Sequence, residues 1–483
     1  MSGDGLKERT ARGLLWGALN NLMTQVLSAL IGICLARLLM PADYGMVGML
    51  AIFTAVAGSL QESGFTAALT NLKEATKRDY NAVFWFSTLM SLTLYVLLFF
   101  SAPLIARYFR QPELVSLSRL VFGSLVMAGI GTAHAAYMFR NMLNREKAVT
   151  GFFALIGSGC VGIALALCGY GYWSLAWQQF AYISLVNVGR LYYVPWMPTL
   201  HIDLRPIREM FGFSSKILVT NIVNQVNNNV LSFIFGRLFT ATVLGNYTQA
   251  AKWNVMAHSL ISGTIQQVAQ PVLAQVHDEG ERQKNVFRKL LRFTAFLSMP
   301  AMLGLSLVAD EFIVLLLGER WLGSVTLLRI LCVSGAFLPI QTLYQNLFIS
   351  NGRSDTYMWC TMAQIVVQTS VIMAFAHWGI IVMVTAYATM LILWLGVWQV
   401  LAHRLTGLRL AEVLKDVLPF TLAAGGSVVV AWLATSAIHQ PIVLLLVRIV
   451  LVAVLYMATM RLAGAKIFKE CMAFLAERLH FSF

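Results

Sequence analysis

Five asparagines and a glutamine fall within nine residues of the stretch TNIVNQVNNNVLSFIFGRLF, residues 220–239: Asn221, Asn224, Gln225, Asn227, Asn228 and Asn229. Uncharged amides both donate and accept hydrogen bonds, so a row of them suits sugar hydroxyls, water or one another. Arg237 closes the same stretch, with Lys252 following and Arg37 standing earlier in the chain. Guanidinium and ammonium groups suit phosphate or carboxylate. Asn221, Asn224, Gln225, Asn228 and Ser232 follow the spacing i, i+3, i+4, i+7, i+11, a single stripe on a helix. Asn21, Thr24, Gln25, Ser28 and Gly32 repeat that spacing. Gln25, Arg37, Asn221, Gln225, Asn228, Arg237 and Lys252 are therefore the candidate substrate contacts. Glu62, in SLQESGFTAAL, is the candidate for coupling to a proton or cation, or else a boundary residue held by Lys73 or Lys77. Lys252 either snorkels outward or turns inward beside Arg37 and Arg237. His134 and His258 read as packing residues.

The elements that must position these groups are set by composition. Of 483 residues, 58% are hydrophobic and only 12% charged, with a mean hydropathy of +0.72. Soluble domains carry about 25% charged residues. The apolar runs approach the roughly 20 residues that cross a bilayer, and they do not alternate as barrel strands do. Fourteen helical spans follow, near 15–39, 46–70, 82–106, 118–139, 150–168, 173–194, 214–238, 247–273, 291–309, 325–350, 358–377, 380–402, 417–437 and 441–463. The start of the chain reads as the first span rather than a cleaved leader.

Alternating the spans from a cytoplasmic N-terminus puts 26 of the 35 basic residues inside and eight outside, with Lys252 within the eighth span. This is the positive-inside pattern, with both termini cytoplasmic. The net charge of +14 is then anchoring on an anionic leaflet, and no nucleic-acid partner is expected. Asp310 and Glu311 read as a cap or rim at the outer end of the ninth span.

The two polar stripes are offset by 200 residues, as are Arg37 and Arg237, and Gly45 and Gly245. Such matches indicate a duplicated six-helix unit with the copies parallel. The expected architecture is an all-α polytopic membrane protein of 14 transmembrane helices: an N-terminal lobe at 1–200, a C-terminal lobe at 201–410, and two further helices with a tail at 411–483. The stripes either glue helices together or line a hydrated cavity. The added breadth at Asn227 and Asn229 favours the cavity.

No GxxxxGK[ST], HExxH, CxxC or GxSxG sequence occurs, and the six cysteines match no metal-ligand spacing. No enzyme chemistry, metal or bound cofactor is expected; coupling to H+ or Na+ is the one ionic role. The alternatives are an ion-coupled multidrug or small-molecule exporter, a membrane glycosyltransferase or polymerase, and a membrane scaffold.

The stretches ARLLMPADYGMVGMLAIF (36–53), ESGFTAAL (62–69), GRLFTATVLGNYTQAAKW (236–253), LVADEFIVLLLGERW (307–321) and NLFISNGRSD (346–355) resemble the polysaccharide-transport branch of the multidrug/oligosaccharidyl-lipid/polysaccharide exporter superfamily. Within it, the likeness is to flippases of the O-antigen, colanic acid and teichuronic acid type. The resemblance implies alternating access, with undecaprenyl-pyrophosphate-linked oligosaccharide carried from the cytoplasmic to the periplasmic leaflet of the bacterial inner membrane. It makes Arg37, Arg237 and Lys252 contacts for pyrophosphate or acidic sugar, and Gln25, Asn221, Gln225 and Asn228 a lining for sugar. It makes the last two helices a groove for the prenyl tail. It also implies membrane lipids, a polysaccharide polymerase and a chain-length regulator as partners of a monomeric transport unit. The first unit has few basic residues near mid-helix, a departure from the lipid II flippase pattern.

Overall fold

The structure, a computed structural model, describes residues 23–277 and 279–470, apart from the side chains of Phe213 and Lys216. Asn21, Lys7, Arg9, Arg12, Cys471 and Arg478 lie outside the described residues. The helices are α1 (Met23–Leu38), α2 (Pro41–Glu62), α3 (Phe65–Asn71), α4 (Lys77–Phe109), α5 (Leu114–Arg140), α6 (Asn144–Leu167), α7 (Tyr172–Tyr193), α8 (Arg205–Leu238) and α9 (Ala241–Gln275). They continue with α10 (Gly280–Leu307), α11 (Ala309–Leu317), α12 (Leu322–Gly335), α13 (Leu338–Ser350), α14 (Ser354–Ala374), α15 (Ile380–Thr406), α16 (Leu410–Ala434) and α17 (Pro441–Leu462). No strand occurs among the described residues.

The protein is all-α and polytopic. Ten helical stretches among the described residues are long and apolar enough to cross a membrane, counting α2 with α3 and α12 with α13 as one each. Helices α7, α8 and α9 have 22, 34 and 35 residues but are more polar, and α1 is a shorter apolar helix. The amides that mark α8 as a candidate site are also what lower its hydropathy.

By packing, the chain divides into two units, Met1–Gly245 and Asn246–Phe483. Helix α8 is thus grouped with the first unit, beyond the boundary at 200 that the repeat suggests. In that unit α4 packs on α5, α5 and α6 on α7, and α2 on α8. Two predicted spans are broken. Residues 46–70 form α2 and α3, separated by Ser63 and Gly64, both with left-handed backbone (φ 49° and 71°). Residues 325–350 form α12 and α13, with Pro339 opening the second. Arg140 of α5 caps the end of α3, donating from Nη1 to the carbonyls of Leu69 and Leu72 (both 2.7 Å) and from Nη2 to that of Lys73 (3.0 Å). A cation suits the free carbonyls at a helix C-terminus.

The linker before α8 is shorter than the predicted 195–213 because the helix begins at Arg205. It is stapled to the start of α4. Asn81 donates to the His201 carbonyl (2.6 Å) and accepts from the Thr199 N–H (2.9 Å), while Trp85 Nε1 donates to the Thr199 carbonyl (2.7 Å). Arg78 pairs with Asp203 at 2.6 Å. The N–H of Arg205, and then Arg78, hold the Asp203 carboxyl below the usual carboxylate range.

In the second unit, α10 packs on α16 and α12, α12 on α15, and α16 on α17. The last two helices are tied in at two places. Arg288 of α10 donates from Nε and Nη2 to the two oxygens of Asp416 (2.7 and 3.3 Å), and Lys284 pairs with Glu412 at 3.0 Å. Arg448 of α17 donates to Glu311 Oε1 (2.7 Å) and to Thr435 Oγ1 (3.1 Å). Glu311 is only 8% exposed, so it is half of an interior ion pair and not part of a rim. Asp310 does sit at the surface, paired with Arg329.

Candidate functional site

The face of α8 that carries the amide stripe is packed at both ends and open between them. At the N-terminal end Ile207, Met210 and Ser214 are buried, with the first two in an apolar cluster around Phe65, Phe84 and Trp196. At the other end Leu231 and Phe235 are 2% and 0% exposed. At 100° per residue, Asn221, Gln225 and Asn228 point the same way as these buried groups. Yet Asn228 is exposed, and Asn221, Asn224, Gln225 and Asn227 are half-buried. The helix is therefore buried at both ends and less buried over the turns that hold the amides, with Asn228 exposed. Asn229 is used differently: its Nδ2 donates back to the Gln225 carbonyl (2.9 Å).

The upper clamp is aromatic. Phe233 meets Phe53, Phe109 and Tyr108, the last stacked at 5.1 Å between centroids. Arg237 lies over the Tyr108 ring at 5.4 Å, an arrangement that fixes a guanidinium without neutralising it. Arg37 is exposed at the end of α1. Gln25 is half-buried on that helix, whose Ile31 and Leu35, with Leu39 just beyond it, pack among Leu155, Ile163 and Leu175 of α6 and α7. Lys252 belongs to the second unit; it is half-buried and has no carboxylate partner among the described residues.

Glu62 is the last residue of α2, directly before the left-handed break. It faces a small cavity shared with Arg190 of α7 and Lys147 of α6. Lys73 and Lys77, the expected partners, do not line that cavity. In the charge count Arg190 and Lys147 are two of the 26 basic residues expected on the cytoplasmic side, and nothing in that count points to this convergence. The available signal was the Ser63–Gly64 pair beside an acidic residue inside an apolar run.

Two of the glycines matched at the offset of 200 make reciprocal contacts within the first unit. A Cβ added to Gly45 would lie 1.8 Å from the Ala241 carbonyl oxygen, and one added to Gly245 would lie 1.7 Å from that of Pro41. Positions 41 and 45 match 241 and 245 at the offset of 200. The first turns of α2 and α9 thus cross backbone to backbone, each through its own glycine.

No group of three or more His, Cys, Asp or Glu side chains that could hold a metal occurs among the described residues. A model of a family described as polysaccharide biosynthesis protein matches residues 34–326. An uncharacterized membrane protein of the cps region of Klebsiella pneumoniae is 25% identical over 382 residues, covering 77% of this chain and 78% of its own. The teichuronic acid biosynthesis protein TuaB of Bacillus subtilis is 25% identical over 394 residues, covering 80% and 81%. Among solved structures, the lipid II flippase MurJ in an inward closed conformation superposes with a TM-score of 0.76 at 13% identity, covering 95% of this chain and 100% of its own. At 13% identity this likeness shows a shared fold. In bacteria, a multi-pass helical protein of this kind resides in the inner membrane, since outer-membrane spans are barrels. With more than half of its length matched, the chain belongs to the polysaccharide biosynthesis protein family.

Proposed function

We propose that this protein is an alternating-access flippase that moves a polyprenyl-pyrophosphate-linked oligosaccharide from the cytoplasmic to the periplasmic leaflet. The observation that carries this reading is the open middle of the amide face of α8 between its two buried clamps. Amides in hydrocarbon need partners. A helix whose face is sealed at both ends and open at the amides suits a hydrated passage better than a glued seam. Asn221, Gln225 and Asn228, with Gln25, meet sugar hydroxyls; Arg37, Arg237 and Lys252 meet the pyrophosphate or an acidic sugar. In this reading α1, α7, α8 and α9 complete fourteen spans. The repeats at 1–200 and 201–410 rock against each other, and α16 and α17 follow them.

No bond need break. The protein lowers the cost of taking a charged headgroup through hydrocarbon, and an H+ or Na+ gradient or consumption of the product supplies direction. The family's description as polysaccharide biosynthesis proteins, the role of TuaB in teichuronic acid biosynthesis and the fold shared with a lipid II flippase support the choice of cargo. The test is reconstitution of the full chain with a fluorescent lipid-linked oligosaccharide, scoring accessibility from one leaflet to the other. Protein-dependent exchange that an Asn221→Leu, Asn228→Leu double variant loses is expected. Exchange of a cationic dye but not of the lipid-linked sugar would move the protein to the small-molecule exporters.

A further inference from the structure

The cavity at the break between α2 and α3 lies among α2, α3, α5, α6 and α7, inside the first unit. Its volume is about 290 Å³, and its polar walls are Gln61, Glu62, Thr66, Thr132, Lys147 and Arg190. Gln61 is 4% exposed and donates from Nε2 to Thr132 Oγ1 (2.6 Å), which fixes one wall. Three charged side chains face the void, yet among the described residues neither Glu62 nor Lys147 forms an ion pair. The Lys147 ammonium stands 6.0 Å from the centre of the Phe139 ring. Among the described residues Arg190 donates only from Nη1, over long contacts to Asn187 Oδ1 (3.3 Å) and the Gly131 carbonyl (3.4 Å).

Charges that share a confined space without pairing leave capacity for something between them. Two cations and one carboxylate favour an anion overall. The carboxylate, an acceptor only, adds a place for hydroxyl donors. Left-handed backbone at Ser63 and Gly64 beside the cavity fits the rule that irregular segments at membrane depth line protein-covered or wet sites.

We propose that this cavity binds a small hydroxylated anion, a sugar phosphate or sugar acid, with Arg190 and Lys147 on the anionic group and Glu62 accepting from the hydroxyls. Its volume is at the lower end for small-molecule sites, about 300 Å³, so it holds one sugar ring and not an oligosaccharide. The site stands independently of the flipping reading, because it needs only the walls of the first unit. The same chemistry is available from a soluble sugar phosphate or from the headgroup of an anionic lipid.

The test is calorimetric titration of glucose 1-phosphate, with inorganic phosphate for comparison, into the full chain in phosphatidylcholine nanodiscs. Saturable binding is expected. Lys147→Gln and Arg190→Gln are each expected to weaken it at least tenfold, and Glu62→Gln to weaken glucose 1-phosphate more than inorganic phosphate. Repeating the titration in phosphatidylglycerol nanodiscs separates the sources: loss of binding there supports the site with the lipid headgroup as occupant, and unchanged binding supports it with the soluble anion. No saturable binding in phosphatidylcholine, or wild-type affinity in both cation variants, would overturn the proposal. Lys147 is exposed and among the described residues holds only the ring contact, so its variant reports even where Arg190→Gln fails to fold.

Discussion

Replacing Gly245 with alanine puts a methyl group 1.7 Å from the Pro41 carbonyl oxygen, where ordinary contact needs about 3.4 Å. The neighbour is backbone, so no rotamer change relieves the clash, and the first turns of α2 and α9 must part by roughly 1.7 Å. Overpacking of this kind costs about 1–3 kcal/mol, which divides the population of the crossed arrangement by about 5 to 150. Gly45→Ala, against the Ala241 carbonyl, should behave alike. Because both methyls are relieved by one separation, the double variant should cost no more than the worse single one, well short of the sum.

In the proposed topology this crossing faces the outer side. In a background without the native cysteines, Met46→Cys, buried beside Gly45, would be labelled by an impermeant maleimide added from outside. The expected labelling rate rises at least fivefold in each alanine variant and no further in the double. Unchanged rates in folded variants would refute the packing argument, and strictly additive effects would refute the single shared separation.

Glu311→Gln leaves the buried Arg448 without its carboxylate and should cost about 3 kcal/mol, read from thermal unfolding in detergent. Pairing Glu311→Leu with Arg448→Met should restore most of that loss, and failure to do so would assign the cost to shape rather than charge. The linker at 195–204 should loosen in acid: Asp203 has a depressed carboxyl, so its contribution is complete above the usual value of 3.8 and disappears as pH falls through the lowered one. Pepsin nicking of the linker should therefore rise at the acid end in the wild type, whereas Asp203→Asn should already be nicked readily at higher pH. Asn228→Leu should lower flipping about tenfold, or 1.4 kcal/mol, without lowering the melting temperature; unchanged flipping would mean that α8 turns this residue to lipid.

Period and composition carried much of this. Helices alternate hydropathy on a scale that a stripe such as Asn221, Gln225 and Asn228 makes readable, and the bilayer sets span lengths. The breaks were harder. Gly64 looks like any small residue in a membrane helix, where glycine is common, and only the backbone reveals that Ser63 also leaves the helix. Charge counting assigns cations to a side but not to a direction, so Arg140, which caps α3, and Arg190, which turns into a cavity, were indistinguishable from leaflet anchors. Glu311 looked like a rim because nothing local points to Arg448, 137 residues further on. The reciprocal glycines were visible as a match at a fixed offset, but their meaning, two backbones in touch, needed three dimensions.

The ion pairs that fasten α16 and α17 also set a timetable for making the protein. Arg288 and Glu311 are synthesised before their partners exist, since Asp416 follows by 128 residues and Arg448 by 137. At about 5–20 residues per second of synthesis, each waits roughly 6 to 27 seconds. During that wait the nascent chain carries charges of both signs that only water, lipid headgroups or the insertion machinery can accommodate. A ribosome stalled before the final two helices would therefore leave a misfit that quality-control proteases can recognise, and a shortened gene would meet the same fate.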